Sequence, residues 1–91
     1  MMLEIVVSNQ FQRDLKNAKK RGLKIEKLNE VVKTLAEQKP LAQKHRDHNL
    51  IGEYRLFREC HIEPDWLLVY RADTEKLELF LMRTGTHADL Y

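Results

Sequence analysis

The chain has one cysteine, Cys60, among 91 residues, so no disulfide can close within it. That excludes a disulfide-stapled secreted scaffold and fits a reducing compartment. Glycine and proline are scarce, at three and two residues. No phosphate-binding glycine loop, dinucleotide fingerprint, nucleophilic serine motif, internal repeat or low-complexity tract occurs. No apolar run approaches the ~20 residues that span a bilayer. The opening stretch Met1 to Val7 is short, carries Glu4 and lacks the basic region of an export signal. A cytoplasmic protein without a membrane partner is expected. The hydrophobic fraction, 43%, is too high for a disordered chain. One domain over residues 1–91, built on one modest core, is the expectation.

Charge of one sign is also missing, with 16 bases against 14 acids. The bases are nevertheless unevenly placed. Between Gln12 and Lys27, seven of them (Arg13, Lys16, Lys19, Lys20, Arg21, Lys24 and Lys27) meet only Asp14 and Glu26. A concentrated basic segment on a nearly neutral protein is the footprint of a polyanion partner, although a solvated helix face would read the same way.

Leu3 to Val7 reads as a short strand, and Ser8 or Asn9 as the cap of a helix. Phe11, Leu15 and Ala18 form an apolar stripe along that helix, which Gly22 ends. A second helix is expected from Lys24 to Gln38, closed by Pro40. Pro40 to Gly52 reads as a polar loop pinned to the core by Leu50 and Ile51. Three strands follow, from Tyr54 to His61, Trp66 to Arg71 and Leu77 to Arg83. Their short connections force antiparallel neighbours. The order β-α-α-β-β-β gives an α+β fold, with a helical hairpin on one face of a small, mainly antiparallel sheet. The opposite face has no helix to cover it and is the natural place for a site.

All four histidines, His45, His48, His61 and His87, lie in the second half of the chain. Three stand at the ends of expected elements, where binding groups collect, and imidazole titrates near neutrality, which suits proton transfer. Scattered surface histidines would give the same count. The segment His61-Ile62-Glu63-Pro64-Asp65-Trp66 is dense in polar groups, but a hairpin turn explains it equally. Trp66, opening a strand, fits the core better than a stacking surface. His45 and His48 have a metal-ligand spacing that His61 and Asp65 could complete. No cysteine pair, His-Glu-x-x-His run or helix supports it, so no metal or other cofactor is expected. In Arg83-Thr84-Gly85-Thr86-His87, Gly85 permits a tight turn. Arg83 and His87 would flank that turn and face one point, a pairing suited to an anionic substrate. Tyr91 can stack on a base or cover the core edge.

Lys44-x-x-Asp47-His48, then Phe57 to Tyr70 with its His61-x-Glu63-Pro64-Asp65-Trp66 core, then Arg83-Thr84-Gly85-Thr86-His87, resemble the YafQ branch of the RelE-type toxins. The likeness spans essentially the whole chain. It departs from the family pattern at Asn49, where a proline commonly follows the loop histidine, and at Tyr91, in place of a terminal phenylalanine. The resemblance implies a RelE-like fold and a type II toxin-antitoxin system. It implies a ribosome-dependent endoribonuclease that cuts mRNA in the A site, within the small subunit of the 70S ribosome, and is restrained by a cognate antitoxin. The catalytic set it implies falls on His48, His61, Asp65 and His87, with Arg83 clamping phosphate and Trp66, Tyr91 and Lys44 contacting substrate. Such a protein also needs ribosomal RNA contacts, for which Arg13, Lys16, Lys19, Lys20 and Arg21 are the candidates. The chemistry needs no protein nucleophile or metal, because RNA carries its own 2′-hydroxyl. Two rivals keep the scaffold: a ParE-like toxin acting on DNA gyrase, and an inactive paralogue that only binds antitoxin.

Overall fold

A computed structural model describes residues 2–91. The first strand, β1 (Glu4–Val7), leads directly into α1 (Asn9–Lys20) through Ser8. The Ser8 hydroxyl accepts the Phe11 N–H at 2.9 Å and donates to the Met82 carbonyl at 2.7 Å. One side chain therefore caps the helix and satisfies a strand edge. Phe11 and Ala18 are buried as their spacing requires. Gly22, at φ +77°, closes α1 with paired bonds, Gly22 N–H to Lys19 and Leu23 N–H to Ala18, both 3.1 Å.

The second helix, α2 (Ile25–Ala36), ends before the expected Gln38. Gln38 itself adopts the left-handed conformation, φ 59°, and repeats the same closure without a glycine: its N–H reaches Leu35 and that of Lys39 reaches Thr34. The remaining strands are β2 (His48–Asn49), β3 (Arg58–Glu63), β4 (Trp66–Asp73) and β5 (Glu78–Gly85), followed by a short helix, α3 (His87–Leu90). They form one five-stranded sheet ordered β1-β5-β4-β3-β2, with β1 parallel to β5 and every other pair antiparallel. The α+β architecture and the helical hairpin on one face are as expected. Phe11, Leu28, Val31 and Ala36 from the helices share a core with Cys60, Trp66, Leu68, Tyr70 and Leu79 from the sheet. Buried among them, the Cys60 thiol is pushed up to about 12, mainly by loss of water.

Three details differ from the sequence reading. The segment from Pro40 is not all loop, because His48 and Asn49 pair with Glu59 and Arg58 and add a strand. The strand expected from Tyr54 begins only at Arg58. Gly52, at φ +69°, opens a 3₁₀ turn, and Phe57 N–H still bonds back to Tyr54 at 2.8 Å. Ile51 does not pin this segment: it is 89% exposed, while Leu50 is partly buried and donates to the Phe57 carbonyl. The face opposite the hairpin is also less bare than expected, since α3 and Tyr91 fold back toward it.

Candidate active site

Register places the polar residues of the open face. His48 pairs with Glu59, Glu59 with Val69, and Val69 with Arg83, so one row crosses four strands. His61, Leu67 and Gly85 make the next row on the same face, two residues along each strand. A bulge at Val69/Tyr70 sets Arg83 opposite Val69. Beyond Gly85 the chain turns into α3 and brings His87 to Asp65, which sits in the β3–β4 turn.

His87 is held from two sides. Its Nδ1 lies 2.7 Å from Asp65 Oδ1, and its backbone N–H donates to the same oxygen at 3.2 Å. The ring N–H and backbone N–H of His87 hold the Asp65 carboxyl below its usual range. An ionised Asp65 fixes the hydrogen of His87 on Nδ1 and leaves Nε2 open. The helix carrying His87 is itself clamped. Thr86 and Asp89 form a reciprocal capping box. Arg21 then grips Asp89 through two bonds of 2.6 and 3.0 Å. That guanidinium, with the Thr86 N–H, holds the Asp89 carboxyl well below the ordinary carboxylate range. Gly85 is needed for proximity rather than for a turn. Its φ is not positive, but a Cβ there would stand 2.9 Å from Asp89 Oδ2.

The other histidines also spend Nδ1 on an oxygen. His61 Nδ1 donates to the Pro64 carbonyl at 3.1 Å, and His48 Nδ1 to the Arg46 carbonyl at 2.6 Å. The His61 ring stands 5.8 Å from that of His87, tilted by 50°. Its Nε2, like that of His87, makes no bond among the described residues. His48 differs, because its Nε2 faces Glu59 Oε1 at 3.5 Å. Glu59 is 6% exposed and also accepts the Tyr91 hydroxyl. Burial, then the Glu59 carboxylate, pushes that hydroxyl up to about 12. The strand bearing His48 is anchored through Asp47, which accepts from Tyr70 Oη at 2.5 Å and Arg58 Nε at 3.2 Å. Asn49 accepts a further bond from Arg58, a tie that a proline there would not make.

Several expected placements are corrected. Trp66 is 2% exposed and donates to Thr84 Oγ1 at 2.9 Å, so it is a core residue and offers no ring to a substrate. Arg83 is mostly taken up by Asp14. Its Nε and Nη2 hold Asp14 at 2.8 and 3.1 Å, and only Nη1 makes no bond among the described residues. Burial works to raise the Asp14 carboxyl, but bonds from Arg83, Gln10 and the Thr84 N–H outweigh it and hold it below its usual range. Lys44 lines a groove with His45, Val31, Leu41 and Glu63, a lining that includes none of His48, His61 and His87. His45 Nδ1 ties the loop to the His61 carbonyl at 2.6 Å. In the basic helix Lys16, Lys19 and Lys20 are exposed with no ion pair among the described residues. Arg13 holds Gln10, and Arg21 is committed to Asp89.

Sequence reasoning gave no role to Glu59, Asp47, Asp14 or Asp89. Glu59 had a signal, standing two residues before His61 on one strand face. Asp89 had another, in the Thr86-x-x-Asp89 capping pattern. Asp14 was one of only two acids in the basic segment.

The chain is similar to several known proteins over nearly its whole length. Residues 3–91 match the family of bacterial toxins of type II toxin-antitoxin systems called YafQ. The mRNA interferase toxin YafQ of Escherichia coli K12 is 40% identical over 89 residues, covering 97% of this chain and 95% of that protein. A metal-bound toxin from Helicobacter pylori superposes with a TM-score of 0.94 at 46% identity, over 99% of this chain and 100% of the other. The toxin of the E. coli DinJ–YafQ toxin-antitoxin complex superposes at 0.89 with 38% identity, over 100% and 99%. Among the described residues of this chain, no three His, Cys, Asp or Glu side chains converge as a metal centre requires.

Proposed function

The chain belongs to the YafQ family of bacterial type II toxins, and on that premise we propose that it is a metal-independent endoribonuclease. It cuts mRNA in the ribosomal A site and is silenced by a cognate antitoxin in the cytoplasm. The observation that carries this reading is the His87–Asp65 pair, with Nδ1 committed at 2.7 Å and Nε2 open. A carboxylate that fixes the tautomer and orientation of an imidazole is the arrangement that proton-transfer histidines use.

The reaction begins with the 2′-hydroxyl of the RNA attacking its own phosphate, so bond making and breaking occur within the substrate. One group takes the 2′ proton, one protonates the departing 5′ oxygen, and positive charge steadies the pentavalent phosphate. His87 moves one of these protons at Nε2. Asp65 is engaged by His87 and serves as its positioning group, which leaves His61 or His48 for the opposite transfer. The 5.8 Å between the His61 and His87 rings lets both address oxygens of one phosphodiester. His48 is set between a carbonyl and a buried carboxylate, with an oxygen facing each ring nitrogen. Arg83 contributes through Nη1 alone.

Support for the partners is of two kinds. The E. coli YafQ chain is seen with the antitoxin DinJ, and the E. coli relative is an mRNA interferase. The three lysines of α1 offer phosphate contacts away from the histidines. Replacing Lys16, Lys19 and Lys20 together should reduce the salt dependence of ribosome binding by roughly 0.7–0.9 per lost contact in log–log slope. Among the described residues, no helix is long and apolar enough to cross a membrane.

Primer extension on a translated message tests the reading. Stops within A-site codons, and cleavage of a minimal RNA that persists in EDTA, are expected. Strict metal dependence on that RNA would overturn the metal-free mechanism. Intact RNA with relaxed or linearised DNA would restore the gyrase alternative.

A further inference from the structure

The open face carries a hollow that the proton-transfer groups do not use. It has a volume of about 360 Å³, is floored by Val69 and walled by Leu50, Tyr54, Leu90 and Tyr91, with Arg83 at one edge. We propose that this hollow seats a nucleobase of the RNA next to the scissile phosphate, stacked against Tyr54. The proposal rests on the ribonuclease reading given above and adds a substrate contact to it.

Position is the first argument. Val69 lies in the same cross-strand row as His48, Glu59 and Arg83, and Tyr91 is both a wall of the hollow and the hydroxyl donor to Glu59. A base held here would extend from the face that carries the histidines.

Chemistry is the second. The lining is apolar and aromatic, and its polar groups are mostly spent. The Ser8 hydroxyl bonds Met82 and Phe11, and the Gln10 amide bonds Asp14 and Arg13. What remains is Nη1 of Arg83 and the Tyr54 hydroxyl. An apolar slot with aromatic walls and a guanidinium edge matches a flat base joined to a phosphate, and stacking of this kind tolerates any base.

The third argument is Tyr54 itself. It is 50% exposed, and its hydroxyl makes no hydrogen bond among the described residues. Its backbone is nonetheless fixed. Gly52 is left-handed at φ +69°, Phe57 N–H bonds Tyr54, and Leu50 N–H bonds Phe57. A rigid turn that presents a large exposed ring beside a reactive face is pre-organised for a ligand.

The test uses the full chain and an RNA trinucleotide with a 2′-deoxy sugar at the attacking position, which binds but is not cut. In NMR titration the Val69 and Leu90 methyl signals should shift. Tyr54→Ala should weaken binding roughly 5- to 150-fold, the range for loss of one stacked base. On programmed ribosomes the same change should raise KM by a similar factor while kcat stays within roughly threefold. Tyr54→Phe, which keeps the ring, should restore affinity. Unshifted Val69 and Leu90, or Tyr54→Ala binding like wild type, would overturn the proposal. So would unchanged oligonucleotide affinity with a weakened antitoxin complex, since the hollow would then take a protein side chain. A wild-type chain that cuts no mRNA defeats the ribonuclease reading instead, and the binding arm still reports on the hollow.

Discussion

Two histidine–carboxylate pairs share the open face, and they are built in opposite ways. In His87–Asp65 both side chains are largely exposed, at 55% and 70%, and the bond is short, at 2.7 Å. In His48–Glu59 the carboxylate is 8% exposed and the approach is 3.5 Å. The first pair fixes one ring nitrogen and leaves the other open to a substrate. The second surrounds the ring with acceptors and shares its carboxylate with Tyr91. The first arrangement suits proton transfer, whereas the second sets an oxygen against each ring nitrogen. The contrast teaches that a count of histidines says little until the partner of each nitrogen is known.

The largest test of that division is His87→Ala, which should lower single-turnover cleavage on programmed ribosomes by roughly 10²–10⁴-fold, the range for losing a general acid or base. Antitoxin binding, followed by calorimetry, should persist. Near wild-type cleavage would remove His87 from proton transfer. Glu59→Gln keeps the shape but removes a buried charge that faces His48 and receives Tyr91. A loss of roughly 10- to 100-fold in kcat is expected, as for a hydrogen bond to a charged group. Asp65→Asn should cost less, roughly tenfold, because its bond to His87 is exposed to water. An Asp65 effect larger than that of Glu59 would reverse the comparison.

The smallest effect concerns the clamp on α3 and is read in stability. Asp89 is held below its ordinary value by Arg21, so the folded state binds fewer protons than the unfolded one once the pH falls toward the usual carboxylate value of about 4. Its stabilisation is complete near neutrality and is lost as acid is added through that range toward the depressed value. Urea midpoints measured from pH 6 down to pH 3 should fall less steeply for Asp89→Asn than for wild type. Parallel profiles would show that the Arg21–Asp89 bond contributes nothing to folding.

Much of the fold was legible because its signals are local. Ser8 caps, Gly22 closes, and the Phe11 and Ala18 spacing declares a buried stripe. The stretch from Pro40 to Phe57 was not legible, since β2 exists only through pairing with Glu59 and Arg58. A two-residue strand leaves no periodicity to read. The site divides in the same way. His48, His61, Asp65 and His87 could be named from their residue types and the family likeness, and the structure sets His87 on Asp65 and His61 beside His87. The partner of Arg83 was not legible, because nothing nearby in sequence announces the bulge at Val69/Tyr70 that fixes its register. Its partner Asp14 lies 69 positions away. Tyr54 left no signal either, as its role depends on a turn that brings it beside Tyr91.

Which atom attacks the phosphate decides the mechanism. Mass spectrometry of the fragments released from programmed ribosomes reads that atom from the new ends. Attack by the 2′-hydroxyl, with proton transfer through His87, leaves a 2′,3′-cyclic phosphate on the upstream fragment and a 5′-hydroxyl on the downstream one. Those ends are expected from the wild type and should be absent with His87→Ala. A 3′-hydroxyl and a 5′-phosphate would mean that water attacks instead, and would contradict the mechanism built on the His87–Asp65 pair.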